Sequence, residues 1–219
     1  MDPRPPRVLP FKIPRFAWGG VAGAILVLVL VVVLTTSWFT VSPEEVGLVL
    51  RFGRYARQAG PGLSVKWPFP VESVMRVPVQ RQLKEEFGFR TREAGVRTRF
   101  SEGDFARESL MLTGDLNVAI VEWTAQFRVR DPYKFLFKVR DVRTTFRDLN
   151  EGVMREVVGD RSVNEVLTIG RQEVAAEVEK LLQNLCDQYE TGIKVEQIVL
   201  QDVNPPDAVK PSFNEVNQA

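Results

Sequence analysis

Apolar residues along this chain follow three different rhythms, and each predicts a different kind of element. The first is an unbroken block. Residues 21–34 read Val-Ala-Gly-Ala-Ile-Leu-Val-Leu-Val-Leu-Val-Val-Val-Leu, with Trp18 before them, Trp38 after them and no charge between Arg15 and Glu44. As a helix rising ~1.5 Å per residue, the stretch 18–38 is ~30 Å long, the thickness of a bilayer's hydrocarbon core. In lipid every backbone polar group must be paired internally, which makes helix the single-segment solution despite the many β-branched valines. Tryptophans at both ends fit an interfacial belt. A cleaved secretory signal is the competing reading, since a basic start, an apolar run and small Thr35 and Ser37 approach that pattern. The run is long for such a peptide and no Ala-x-Ala follows it.

The second rhythm is alternation. Val46, Leu48, Leu50 and Phe52 predict a strand with one buried face; Leu63, Val65 and Trp67 repeat the pattern after the turn at Gly60-Pro61-Gly62. A third strand runs over 71–79, with Met75, Val77 and Val79 in phase. Leu116, Val118 and Ile120 alternate after the turn Thr113-Gly114-Asp115. The apolar set then becomes Val121, Trp123, Ala125, Phe127 and Val129, which predicts a β-bulge or a change of face near 120–121. Ile193, Val195, Gln197 and Val199 predict a last strand. Between these lies 87–109, where Arg90, Arg92, Arg97, Arg99 and Arg107 interleave with Glu93, Glu102, Asp104 and Glu108 without a period. That reads as a long charged loop, either a solvated excursion or an arm that contacts a partner.

The third rhythm is helical. Asp131-Pro132 supplies an N-cap and first residue for a short helix carrying Phe135, Leu136 and Val139. Val142, Phe146, Leu149, Val153 and Val157 fall on one face of a helix bounded by Asp141 and Gly159. Ser162-Val163-Asn164-Glu165 is a capping box, and Val174, Val178, Leu181, Leu185 and Tyr189 carry one face on to Gly192. Val209, Phe213 and Val216 begin a four-three spacing of the coiled-coil kind. The organisation expected is a disordered cytoplasmic tail over 1–17, a transmembrane helix over 18–38, a β-rich subdomain with the charged loop over 39–109, an α/β subdomain over 110–204 and the start of a coiled-coil helix over 205–219. The class is α+β.

Charge orients this arrangement and composition narrows the chemistry. Arg4, Arg7, Lys12 and Arg15 precede the apolar block against Asp2 alone, so the positive-inside rule puts the N-terminus in the cytoplasm and the main domain across the membrane. The whole chain of 219 residues carries a formal net charge of +1, so no global field recruits nucleic acid. It has no histidine, which removes Ser-His-Asp and Cys-His nucleophiles and His-based zinc sites. A Ser-Lys hydrolase needs no histidine, yet neither a Gly-x-Ser-x-Gly elbow, a phosphate loop nor a metal-ligand cluster is written here. The acid pairs Glu44-Glu45 and Glu85-Glu86 read as solvated surface. Cys186 is the one cysteine and sits beside Leu181, Leu182 and Leu185, as a small core residue does. No catalytic residue, cofactor or metal is expected. The candidate site is a membrane interface: Trp18 and Trp38 at the ends of the span, and Trp67 and Phe69, bracketed by Pro68 and Pro70. The last two rings either dip into the headgroup layer or fill the core of a small β-subdomain.

The order of pieces carries a resemblance. An anchor is followed by Glu44-Glu45-Val46-Gly47-Leu48-Val49-Leu50-Arg51-Phe52-Gly53-Arg54, by Pro61-Gly62-Leu63 with Trp67-Pro68-Phe69, and by Leu110-Met111-Leu112-Thr113-Gly114-Asp115-Leu116-Asn117-Val118. From about Ser37 onward this resembles the SPFH (band 7, stomatin/prohibitin/flotillin) family. Phe127-Arg128-Val129-Arg130-Asp131-Pro132-Tyr133 and Asp202-Val203-Asn204-Pro205-Pro206 look most like its HflK branch. The resemblance implies a non-enzymatic scaffold, single-pass in the bacterial inner membrane with its main domain in the periplasm. It also implies a hetero-oligomer with the paralogue HflC, a ring or cage of alternating subunits that encloses the AAA protease FtsH and limits its access to substrates. A stomatin-like organiser that assembles alone shares the fold without the protease. A domain tethered to a bilayer meets its neighbours at high effective concentration, so weak contacts suffice for lateral assembly.

Overall fold

A computed structural model describes residues 15–93, 99–100, 106–167 and 170–206; in α1 the side chains at 15–19 and 21 lie outside that description. Residues 1–14 of the tail expected over 1–17, the side chain of Trp18 and residues 207–219 of the coiled-coil start expected over 205–219 therefore fall outside the described residues, while 15–17 belong to α1.

Helix α1 (Arg15–Thr36) is 22 residues long. Its apolar side chains from Ile25 to Leu34 contact little of the domain, and most are half exposed or more. Among the described residues, which leave out the side chains at 15–19 and 21 of α1, no helix is long and apolar enough to cross a membrane. Ser37 leads directly into β1 (Trp38–Val41), so Trp38 belongs to a strand rather than to the end of the helix. Then come β2 (Glu45–Arg51), β3 (Arg54–Ala59), β4 (Gly62–Val65) and β5 (Glu72–Pro78). β1 and β4 form an antiparallel ribbon, and β2 is the centre strand of a sheet ordered β3-β2-β5. β2 was expected to bury one face and buries both. Val49 joins Phe39, Val41 and Ala59 in one small core, while Leu48 packs with Val77 and with Val129 of the later half.

The region expected as a long charged loop contains regular structure. It is preceded and entered by β6 (Leu83–Phe87), followed by β7 (Thr91–Glu93), β8 (Arg99–Phe100) and α2 (Ala106–Ser109). β9 (Leu110–Leu112) then pairs with β10 (Val118–Val129). After α3 (Pro132–Phe137), α4 (Val142–Gly159), α5 (Val163–Leu167) and α6 (Arg171–Gln188), the strand β11 (Ile193–Asn204) closes a sheet ordered β11-β10-β6. β6 thus pairs across the expected 109/110 boundary. Its Lys84-Glu85-Glu86 centre hides the strand in sequence. Glu85 is not solvated surface but pairs with Arg143 at 3.1 Å and Arg147 at 3.0 Å, and Glu86 pairs with Lys84 at 2.7 Å.

The expected change of face in β10 does not occur. Ala119, Val121, Trp123, Ala125, Phe127 and Val129 all point inward in one phase, and Leu116, Val118 and Ile120 face outward or lie partly covered. Register shifts fall instead against β11, at Glu122/Trp123 and Gln126/Phe127. The main core lies between this sheet and the inner faces of α4 and α6. Trp123 stacks on Phe87 at 4.5 Å and donates its indole N–H to Asn150 Oδ1 at 2.9 Å. Cys186 is buried there, beside Thr191.

The helix ends form as their capping residues dictate. Asp131 accepts from the N–H groups of Tyr133 and Lys134, Asp141 from Thr144, and Ser162 and Glu165 exchange reciprocal bonds. The expected run from the capping box to Tyr189 is interrupted at Gly170. There the chain passes so close to the Glu165 carbonyl that a Cβ would lie 2.6 Å from its oxygen. Gly192, at φ +71, enters β11 under the Asp131 carbonyl, where a Cβ would meet that oxygen at 2.4 Å.

Candidate membrane-facing site

Of the residues singled out as interfacial, Trp38 lies in the strand that follows α1 and Trp67 lines a cleft with Val33 of α1. In the β1–β4 ribbon Trp38 stands opposite Val65 and Thr40 opposite Leu63, so these four share a face. The opposite face carries Phe39 and Val41 into the small core. Alternation correctly predicts the strand 62–65 but not its environment, since Leu63, Val65 and Trp67 are all exposed. Trp67 is 61 % and Phe69 81 % exposed, so neither ring fills a core. The exposed side chains of Trp38, Leu63, Val65, Trp67 and Phe69 make up an apolar rim, in which Val65 and Trp67 meet Val33 of α1 in one cleft.

The rim is held by polar groups behind it. Lys66 donates its N–H to the Ser37 carbonyl at 2.7 Å, which ties the end of β4 to the last residue before β1. Ser37 in turn donates its own N–H to Val33 at 3.1 Å and its hydroxyl to the same carbonyl at 2.5 Å. Glu72, at the start of β5, is 1 % exposed. Its Oε1 accepts from Arg51 Nε at 3.1 Å and Nη2 at 2.8 Å, and its Oε2 accepts from the Trp67 N–H at 3.1 Å. Arg57 lies 3.8 Å from that second oxygen and also donates to the Val65 carbonyl. Burial alone would raise the Glu72 carboxyl. The hydrogen bonds from Arg51 and Trp67 and the charges of Arg51 and Arg57 outweigh it and hold the group below the ordinary carboxylate range. One buried carboxylate thereby fixes two arginines and the backbone that presents Trp67.

Sequence reasoning missed Glu72, because a lone glutamate beside Val71 has no periodic signature and its partners lie in β2 and β3. Leu63 and Val65 were visible as apolar, though not as members of an exposed rim. Among the described residues no group of three or more Cys, Asp or Glu side chains is placed to hold a metal ion. What the arrangement can do chemically is present an apolar, aromatic edge to a nonaqueous surface, backed by basic side chains at its polar margin.

Comparison with known proteins places the domain among recognised relatives. The profile of the SPFH domain / Band 7 family matches residues 39–219. Protein HflK of Treponema pallidum (strain Nichols) is 36 % identical over 95 % of this chain and 65 % of its own length. Protein HflK of Borreliella burgdorferi is 34 % identical, over 89 % of this chain and 62 % of its own length. The protein named Modulator of FtsH protease HflK in Escherichia coli (strain K12) is 29 % identical, over 92 % and 43 % respectively. The chain thus spans about two-thirds or less of the length of each of these relatives.

Proposed function

The chain belongs to the SPFH domain / Band 7 family, and from that membership we propose that it is a membrane-anchored, non-enzymatic scaffold subunit that modulates an FtsH-type AAA protease. The observation that carries this reading is the similarity to HflK proteins over most of the chain, one of them named as a modulator of FtsH protease. In the finer proposal the subunit co-assembles with an HflC-type paralogue into a ring or cage around the protease and limits its access to membrane substrates. The chain sits in a bacterial inner membrane, single-pass, with its N-terminus cytoplasmic and its main domain periplasmic. Support for the anchor comes from the 22-residue helix α1, the absence of charge between Arg15 and Glu44 and the exposed apolar rim at its exit. Trp18, Trp38, Trp67 and Phe69 are the proposed interfacial residues.

Affinity isolation of the tagged chain from native membranes tests the assembly. Co-isolation of an AAA protease together with a second, distinct SPFH chain is the expected result. A homo-oligomer free of both overturns the protease reading in favour of a stomatin-like organiser.

A further inference from the structure

A cleft of about 330 Å³ opens beside the last turn of α1. Its lining is of two kinds: Val33, Val65 and Trp67, the last two members of the apolar rim, and the three cations Arg51, Arg57 and Lys66, with Glu72 the single carboxylate. That carboxylate is already engaged through both oxygens. The cations retain donors: a guanidinium carries five N–H groups, Arg51 spends two on Glu72, and Arg51 and Arg57 remain 54 % and 43 % exposed. Among the described residues, no carboxylate lies within 4.0 Å of the Lys66 ammonium. The cleft therefore holds two positive charges in excess, beside an apolar surface, with Arg51 and Arg57 held by Glu72.

We infer that this cleft binds the phosphodiester of an anionic phospholipid headgroup. A phosphodiester carries one negative charge and two free oxygens, which suits forked guanidinium donors. The acyl chains continue along Val33, Val65 and Trp67. A zwitterionic headgroup brings its ammonium into the same excess of positive charge, so phosphatidylglycerol is favoured over phosphatidylcholine. The inference rests on α1 being the membrane anchor.

Trp67 lines the cleft and serves as the reporter. The full chain carrying Trp18→Phe and Trp38→Phe is reconstituted into phosphatidylcholine vesicles doped with an equal minor fraction of either brominated phosphatidylglycerol or brominated phosphatidylcholine. Trp123, buried in the core, stays dark to both quenchers. Each basic side chain at an anionic surface is worth roughly fivefold in binding, so brominated phosphatidylglycerol should quench as strongly as brominated phosphatidylcholine at about fivefold higher mole fraction or more. Arg57→Gln with Lys66→Gln should abolish the difference while leaving the near-ultraviolet dichroism unchanged. If the pair does not fold, Lys66→Gln alone, which removes no ion pair, should reduce it. Equal quenching by the two lipids overturns the inference and leaves the anchor standing. No quenching by either overturns the interfacial placement of Trp67 and the inference with it. Loss of the preference in inorganic phosphate at constant ionic strength assigns the cleft to a soluble phosphate and overturns the lipid assignment.

Discussion

Replacing Glu72 by alanine removes the one buried charge that organises the rim, and the structure sets the size of the effect. The substitution deletes the two hydrogen bonds from Arg51 and strands the Trp67 N–H without its acceptor. Breaking a fully buried ion pair costs about 3–5 kcal/mol, because the orphaned partner stays dehydrated. Here the partners are not trapped: Arg51 is 54 % and Arg57 43 % exposed, so both regain water. What remains is the loss of hydrogen bonds to a charged group, about 1.5–3 kcal/mol in general, and we take about 2 kcal/mol for this site. For a domain of this size each kcal/mol lowers Tm by about 2–4 °C, so Glu72→Ala should melt about 4–8 °C below the parent chain. The pH dependence gives the prediction a signature. The Glu72 carboxyl titrates below its ordinary 4.5, so its stabilisation is complete above that pH and disappears as pH falls through the lower folded value. Thermal unfolding of the full chain in nanodiscs, followed by circular dichroism from pH 7 to pH 3, should show the two melting curves converging at the acid end. Equal Tm at pH 7, or a deficit that persists unchanged at pH 3, would refute the account of Glu72 as an ionised organiser.

Other expectations follow from single residues. Gly192→Ala forces a Cβ to 2.4 Å from the Asp131 carbonyl at φ +71, whereas Gly152→Ala in α4 meets nothing within 4 Å; the first should cost about 3 kcal/mol or more and the second should gain about 0.5–1 kcal/mol by urea titration. Burial pushes the Cys186 thiol up to about 11, so an aromatic disulfide reagent at pH 8 should leave the native chain unmodified and label it once unfolded. Glu122 stands opposite Asp202 across β10 and β11, and burial, then that like charge, raises its carboxyl. Its ionisation therefore opposes folding above the raised pKa and not at low pH, and Glu122→Gln should stabilise the chain by about 0.5 kcal/mol at pH 7, with the gain absent at pH 3.

The parts of the fold legible in sequence are those whose causes are local. Asp131, Asp141 and the Ser162–Glu165 box each act within four residues; the two aspartates cap the helices expected of them, and the box caps the short α5 rather than the whole run to Tyr189. The face of α4 is equally local, since its period is a property of one helix. β6 was missed for the opposite reason: Glu85 is satisfied by Arg143 and Arg147, about sixty residues away, and no window along the chain contains both. The phase of β10 was misread because Ala119, the inward residue, is small and Val118 and Ile120 beside it are not; area alone put the wrong pair inside. At the candidate site, alternation found the strand carrying Leu63 and Val65 but is silent on whether its apolar side meets protein or another medium. Glu72 belongs with β6, a polar residue whose burial is decided by partners in other strands.

These non-local contacts also decide how the domain is joined to α1. Only Ser37 separates α1 from β1, and it is fixed on three sides: its N–H and hydroxyl reach Val33, and its carbonyl accepts from Lys66. A tether of flexible residues would confine the domain near the bilayer and raise its effective concentration while leaving it free to tumble. A hydrogen-bonded junction does more, because it couples the tilt of the helix to the orientation of the sheets. On the proposed reading, neighbouring subunits therefore meet with both height and facing already set. Part of the rotational entropy that docking would otherwise cost is then removed before contact. Lateral surfaces of modest area and no great affinity can close an assembly under that constraint, and Glu72, by holding Arg51, Arg57 and the Trp67 backbone against the ribbon that meets Ser37, stabilises the element that imposes it.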